Sequence, residues 1–439
     1  MSDHLEIVPL MKPPCATVQV PGSKSITNRA LVLAALSSQH GPCTLAGALR
    51  SEDTEVMMDS LQRLGFDVRA DWDSAEPCVK VGGNRGSLIP AADADLFVAN
   101  SGTSMRFLTA MVAAGRGRYR LDGIPRMRER PIADLLEALC QLGVQAKSVN
   151  GNGCPPVVIE SEGIPGGKVR IRGDISSQFL SGLLMAAPFA RHPIAIDVEG
   201  ALVSQPYVEM TIRQMFWWGL EVERPTPTTF RVRPQTPKQP DREIIEADAS
   251  AASYFFAAAA ITGGSVIVDG YIPPGITLQG DIEFLHVLEQ MGCTVERDLV
   301  WNVVHGGPLR GINVDMNDIS DTVMTLAAVA CFAEGPTTIR NVAHIRHKET
   351  DRLTALATEL RRVGAHVEEF DDGLTITPRP LHGAEIETYN DHRMAMSMAL
   401  IGLRVPGIVI KNPSCVAKTY PHFFTDLEQL RHQAQEEKT

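Results

Sequence analysis

With 439 residues, 44% of them hydrophobic, the chain is long enough for two cores rather than one, because a single core stops growing at roughly 250–300 residues. Its 41 basic and 52 acidic residues leave a formal charge of −11, which argues against a nucleic-acid surface and makes any basic cluster a local feature of an acidic body. Eight cysteines without a C-x-x-C pair read as reduced core thiols of a cytoplasmic protein, and apolar runs such as Thr322–Ala333 fall short of the roughly 20 residues that span a bilayer.

The acidic start Met1–Glu6 does not read as a transit peptide. At Gly22-Ser23-Lys24-Ser25 a small polar cluster opens straight into a helix whose next face is Leu31–Leu36. Ser23 separates Gly22 from Lys24, so this is not a Walker A loop. The same opening recurs at Asn100–Ser104, Ser176–Gln178, Asp248–Ser250, Asp318–Asp321 and Asn390–Arg393. Each of the first five copies closes on a helix that ends in glycine, at Gly65, Gly143, Gly219, Gly292 and Gly364, spaced by 78, 76, 73 and 72 residues. This regularity marks an internal repeat. Within a copy the pattern predicts an apolar helix, a strand such as Tyr119–Asp122 or Val266–Asp269, an amphipathic helix such as Pro131–Leu142, and two short strands about a turn such as Asp371-Asp372. The order is βαβαββ, six times with the last copy truncated, and the fold class is α/β.

The Pro- and Gln-rich stretch Pro234–Pro240 breaks the pattern between copies three and four and predicts an inter-domain crossing. A second crossing is expected near Val20-Pro21, leaving Leu5–Leu10 to pair elsewhere. The expected domains are 22–241, holding copies one to three, and a discontinuous 1–21 plus 242–439, holding copies four to six, with the two crossings as a hinge.

A helix start exposes unpaired N–H groups and a positive dipole end, so converging starts form anion sites. Basic residues stand at or just beyond these openings: Lys24, Arg29, Arg106, Arg126, Arg128, Arg130, Arg346, Lys348, Arg352, Arg393 and Lys418. They predict a pocket for one or two strongly anionic small molecules. Gly102, a bare glycine at a helix start, lets a ligand approach the backbone. Three arginines within Arg126–Arg130 repel one another unless an anion or carboxylate joins them. Asp321 and Glu349 are carboxylates among cations, placed equally well for proton transfer or for a structural salt-bridge network. His344-x-x-His347 lacks a third ligand at metal spacing, and no metal is expected. His392 reads as an orienting hydrogen-bonder.

Taken together, PGSKSITNRA, NSGTSMRFLTA, IPRMRERPI, ISSQFL, LVSQPYVE, HKETDRL, NDHRMAM and AKTYP resemble, in order and over nearly the whole chain, the signature segments of the 5-enolpyruvylshikimate-3-phosphate synthase family. The resemblance implies an enolpyruvyl transferase architecture of two domains, each of three βαβαββ units, that close over their substrates. It implies transfer of the enolpyruvyl group of phosphoenolpyruvate to the 5-hydroxyl of shikimate 3-phosphate with release of phosphate, in the pathway to chorismate and aromatic amino acids, and no metal or organic cofactor. Both substrates are small molecules; neither a nucleic acid nor a membrane is an expected partner, and the protein is expected to be a monomer that shikimate 3-phosphate compacts.

Carried over by position, Lys24, Ser25, Arg29, Ser176, Ser177, Gln178, Ser204, Asp321, His344 and Lys348 match contacts of shikimate 3-phosphate. Lys24, Gly102, Arg126, Gln178, Arg352, Arg393 and Lys418 match contacts of phosphoenolpyruvate, and Asp321, Glu349 and Lys24 match the catalytic residues. The nearest rival, the UDP-N-acetylglucosamine enolpyruvyl transferases of the same architecture, use a loop cysteine that Ile124–Pro131 does not contain. A non-catalytic anion-binding relative would be expected to have lost Asp321, Glu349 or Lys24. Two positions depart from the family pattern. His344 replaces a common asparagine and predicts a pH-dependent contact, and Phe107 replaces a common proline where the phosphoenolpyruvate pocket is packed. Retention of Gly102 predicts sensitivity to glyphosate, altered by Phe107.

Overall fold

The computed structural model of the chain describes residues 3–74, 76–270, 277–298 and 300–436. The chain divides into two compact units, Gly22–Ile245 and Met1–Pro21 with Glu246–Thr439, and the described residues form six small sheets. The sheet of the second copy shows the common plan. Strand Asp93–Phe97 runs parallel to Arg116–Asp122, which pairs antiparallel with Val157–Glu162, and that strand pairs antiparallel with Gln145–Ser148. Alternation along Arg116–Asp122 leaves Arg116 and Arg118 exposed and buries Tyr119 and Leu121, so one face of the sheet covers the core.

Two copies take their leading strand from elsewhere in the chain. Cys15–Gln19 directly precedes the first opening, yet it pairs parallel with Ser265–Asp269 of the fourth copy. The first copy instead receives Arg242–Ile244, parallel to Cys43–Ala46. His4–Ile7 completes the truncated last copy, antiparallel to Ile408–Lys411, whose other neighbour is Ala384–Ile386. The units are therefore joined at Pro21–Gly22 and at Ile245–Glu246. Pro234–Pro240, where composition predicts a crossing, lies inside the Gly22–Ile245 unit. There the Gln235 N–H donates to the Pro188 carbonyl at 3.0 Å, the Lys238 N–H to the Trp218 carbonyl at 2.8 Å and the Gln239 amide to the Gly41 carbonyl at 2.8 Å. Residues 242–245 belong with the same unit, because a parallel ladder consumes their backbone donors and acceptors.

Each opening starts a helix that is buried nearly all round: Lys24–Ser37, Gly102–Ala113 and Ser177–Ala186 in one unit, Ala249–Thr262, Val323–Ala330 and His392–Gly402 in the other. A helix apolar on every side must sit inside a core, which leaves its capped N-terminus as the polar end. Ser23, Ser101, Ser176, Asp248 and Asp391 each accept a first-turn N–H. The second helices are amphipathic; Glu52–Arg63 buries Met57, Met58 and Leu61, and Arg352–Arg362 buries Leu353, Leu356 and Leu360. The five closing glycines have φ between +71° and +112°, the left-handed cap that other residues adopt only with strain.

Three local expectations need correction. The helix predicted from Pro131 begins at Ala133 with Ile132 as its cap, which leaves Pro131 outside with its carbonyl accepting from Arg106. Cys15 and Cys140 are exposed rather than in the core, and none of the eight cysteines is disulfide-bonded. The strand predicted at Tyr119 already starts at Arg116. No helix among the described residues is long and apolar enough to cross a membrane.

Candidate active site

In the Gly22–Ile245 unit, the openings of three buried helices carry the expected residues. Lys24 begins its helix behind Ser23, whose Oγ accepts the Ile26 N–H at 3.5 Å. Its ammonium lies 3.5 Å from Oδ2 of Asp53, a carboxylate 3% exposed in the first turn of Glu52–Arg63. One turn beyond Ser25, Arg29 is buried. Its Nε donates to Thr211 Oγ1 at 2.7 Å, Nη1 to the Ser25 carbonyl at 2.8 Å and Nη2 to the Tyr207 carbonyl at 3.0 Å. Burial lowers its pKa to about 10, so it is still a cation at neutral pH.

Gly102 is enclosed by two guanidinium groups. Arg106 Nη1 donates to the Gly102 carbonyl at 3.1 Å, and Arg130 Nη1 donates to the Asn100 carbonyl at 2.9 Å. A Cβ at position 102 would run into Arg130 Nη2 and lie 2.7 Å from Arg106 Nη1. Ser176 caps the third helix, its Oγ accepting the Gln178 N–H at 3.3 Å, and the Gln178 amide donates to Thr103 Oγ1 at 3.2 Å, which ties the third opening to the second. Ser177 is buried beside them. Ser204 precedes helix Gln205–Trp217 at φ +52°, an uncommon backbone for a non-glycine residue, and is buried.

The three arginines of Arg126–Arg130 have separate fates. Arg126, a third exposed, pairs with Glu129 at 2.9 Å. Arg128 grips Asp122 through two hydrogen bonds of 2.9 and 2.8 Å. Burial works to raise the Asp122 pKa, but hydrogen bonds from Arg128, the Gly123 N–H and Arg120 outweigh it and hold the carboxyl below its usual range. Arg346 is likewise a structural cation, bound to Asp351 at 3.0 Å and Glu369 at 2.9 Å.

The other unit concentrates charge. Arg352, the first residue of its helix, is 2% exposed and meets three carboxylates. Nε donates to Asp391 Oδ2 at 2.8 Å, Nη2 to Glu349 Oε2 at 2.8 Å and Nη1 to Asp321 Oδ1 at 3.4 Å. Arg393 Nη2 donates to Asp321 Oδ2 at 2.7 Å, and its Nη1 reaches the Tyr254 hydroxyl at 3.4 Å. Lys418 Nζ lies 3.6 Å from Glu349 Oε1 and Lys348 Nζ 4.0 Å from Asp321 Oδ1. Four cations therefore surround three carboxylates, one positive charge in excess. Burial works against the Arg352 charge, but Asp391, Glu349 and Asp321 outweigh it and raise its pKa. Burial pushes the Tyr254 hydroxyl up to about 12.

His344, buried on the turn Ala343–His347, does not behave as its type predicts. Burial first, and then the charge of Lys348, pulls the imidazole down to about 3, so it is neutral at physiological pH. A ring neutral across the physiological range differs from the titrating imidazole that its residue type predicts. Asp53, Asp391 and Tyr254 carry no role in the sequence reading, although they touch its residues. Asp391 stood in view as the cap of its motif; Tyr254, inside an alanine-rich helix, offered no signal.

The chain has relatives over nearly its whole length. A family model described as EPSP synthase (3-phosphoshikimate 1-carboxyvinyltransferase) matches residues 11–427. A Nostoc punctiforme protein named 3-phosphoshikimate 1-carboxyvinyltransferase is 50% identical over 98% of this chain and all of its own length. One of the same name from Shewanella denitrificans is 44% identical over 95% of this chain and 96% of its own. The solved EPSP synthase of Acinetobacter baumannii superposes with a TM-score of 0.78 at 26% identity, covering 97% of this chain and 98% of that one. The enolpyruvyl transferase NikO from Streptomyces tendae shares the fold, with a TM-score of 0.75 at 18% identity over 97% of each chain. On these matches the chain belongs to the EPSP synthase, or 3-phosphoshikimate 1-carboxyvinyltransferase, family.

Proposed function

We propose that the chain transfers the enolpyruvyl group of phosphoenolpyruvate to the 5-hydroxyl of shikimate 3-phosphate, releasing phosphate, and that Asp321, Glu349 and Lys24 carry its proton chemistry. The observation that supports these roles best is the buried cluster in which Asp321 and Glu349 share Arg352 while Arg393, Lys348 and Lys418 complete the shell. Each substrate carries a phosphate and a carboxylate, so a surplus of fixed cations suits both.

Asp321, held between Arg393 and Arg352, is the base that takes the proton of the 5-hydroxyl as its oxygen attacks C2 of phosphoenolpyruvate. Glu349, between Arg352 and Lys418, handles the proton that adds to the methylene carbon and is later lost from the methyl group. Between the two steps stands a tetrahedral ketal phosphate, whose charge is offset by cations already in place. Elimination of phosphate and of that proton regenerates the vinyl group. Lys24 assists at the enolpyruvyl carbon, with Asp53 orienting its ammonium.

Ser25, Arg29, Ser176, Ser177, Gln178, Ser204, His344 and Lys348 hold shikimate 3-phosphate, while Gly102, Arg126, Arg352, Arg393 and Lys418 hold phosphoenolpyruvate. The enzyme works as a monomer in the cytoplasm, and glyphosate competes with phosphoenolpyruvate beside Gly102. The test is to follow phosphate release and new vinyl protons by NMR with both substrates present. Both signals are expected only when both substrates are supplied; calorimetric binding without turnover would leave anion sites and sink the transferase assignment.

A further inference from the structure

Arg29 presents an unusual balance of forces. It is 2% exposed, yet all three of its hydrogen bonds go to neutral oxygens, and among the described residues no carboxylate pairs with it. A buried cation ordinarily requires a counter-charge, as Arg352 illustrates with its three carboxylates. What lies against Arg29 instead is the ring of Phe107, itself fully buried, with the guanidinium carbon 5.1 Å from the ring centroid. A second contact of the same kind follows one helix further on, where Arg106 lies 5.9 Å over the ring of Phe179. The buried helices opening at Lys24, Gly102 and Ser177 are thus joined in sequence by an arginine over a phenylalanine.

We propose that Phe107 is a positioning residue that holds the Arg29 guanidinium for the anionic carbocyclic substrate, and so sets affinity for shikimate 3-phosphate rather than the packing around phosphoenolpyruvate. This rests on the assignment of Arg29 to that substrate. The physical argument is that a carboxylate in the place of Phe107 would neutralise Arg29 and compete with the ligand. An aromatic face attracts the cation through its quadrupole while bringing no net charge. A guanidinium has five N–H donors, of which three are taken, so two are left for ligand oxygens. Phe107 lies on the Gly102–Ala113 helix and Arg29 on the Lys24–Ser37 helix, so the contact also aligns the glycine opening with the lysine opening.

The test replaces Phe107 in the full chain with 4-fluoro-, 3,5-difluoro- and 3,4,5-trifluorophenylalanine, which weaken the ring quadrupole stepwise while nearly keeping its shape. Calorimetric titration with shikimate 3-phosphate should show Kd rising with each fluorine, to roughly 5- to 10-fold in the last member. The KM for phosphoenolpyruvate and the melting temperature should stay close to the parent. In an Arg29→Gln background, itself a weaker binder, the series should become flat. A flat series in the parent, or one that moves the KM for phosphoenolpyruvate instead, overturns the role of Phe107 while leaving Arg29 in place. Unchanged binding in Arg29→Gln alone overturns the assignment of Arg29, and the inference with it.

Discussion

The two units stabilise buried cations in opposite ways. In Gly22–Ile245, Arg29 is held by a hydroxyl, two carbonyls and a ring, while Lys24 lies beside the carboxylate of Asp53. In the other unit Arg352 alone meets three carboxylates and Arg393 shares one of them. Copies of one repeat have thus come to surround Arg29 and Arg352 with different partners. Neutral ligation leaves a cation's field available to an incoming anion, whereas carboxylate ligation fixes the cation's place and poises a base beside it.

The largest effect expected from breaking this contrast is on turnover. Asp321→Asn and Glu349→Gln should each lower kcat by about 10²–10⁴-fold. Binding of shikimate 3-phosphate should change far less, as read by phosphate release and calorimetry on the same preparations; turnover near the parent's would refute the proton-transfer roles. Next comes stability. Arg352→Gln strands buried Asp391 and Glu349 and partly buried Asp321, and should cost about 3–5 kcal/mol in denaturant unfolding. Arg29→Gln leaves only neutral acceptors unsatisfied and should cost about 1–3 kcal/mol. Equal losses would erase the distinction between the two modes of ligation.

A smaller effect is expected at Gly102, where alanine must displace Arg130 or Arg106. Gly102→Ala should raise the KM for phosphoenolpyruvate by roughly 10-fold, equivalent to about 1.4 kcal/mol, with a smaller change for shikimate 3-phosphate. An unaltered KM would remove Gly102 from the phosphoenolpyruvate site.

Effects on pH dependence come last, and their signs oppose one another. His344 has a folded pKa of about 3 against an ordinary 6.5, so between these values the unfolded chain binds a proton that the folded chain does not. Stability from that group is therefore lost as pH falls below 6.5. Glu243, buried with Gln214 donating to Oε1 at 2.8 Å and Trp218 to Oε2 at 2.9 Å, is pushed up to about 7 by burial despite those donors. Its folded state holds a proton that the unfolded state has released, so its contribution is present below pH 4.5 and lost as pH rises through 7. Melting curves should show His344→Asn flattening the acid side alone and Glu243→Gln the neutral-to-alkaline side alone. A reversed pattern would mean the two burials have been assigned the wrong consequence.

Much of the fold was legible because its signals are local. A cap such as Ser23 and a left-handed glycine such as Gly65 act within one turn of their own helix, so the openings and closings could be found from neighbouring residues. The candidate site residues carried by motifs, among them Lys348, Glu349 and Arg352, could be picked out for the same reason. Less legible was which carboxylate each basic residue meets, because Glu369 reaches Arg346 and Asp391 reaches Arg352 from distant points of the chain. Nor did Phe107 declare its partner, since a ring one residue from Arg106 rests on Arg29 of a different helix.

By itself, then, the sequence determined the repeated α/β unit, the buried helices with polar openings, and a family membership carried by eight short segments. Tertiary structure alone decided that Cys15–Gln19 serves the fourth copy and Arg242–Ile244 the first. It likewise decided that Asp321 and Glu349 of the fifth copy and Asp391 of the sixth converge on Arg352. The reason is physical: caps and turns are satisfied by atoms a few residues away, whereas strand pairing and charge burial are settled by competition among partners that only the folded chain brings within reach.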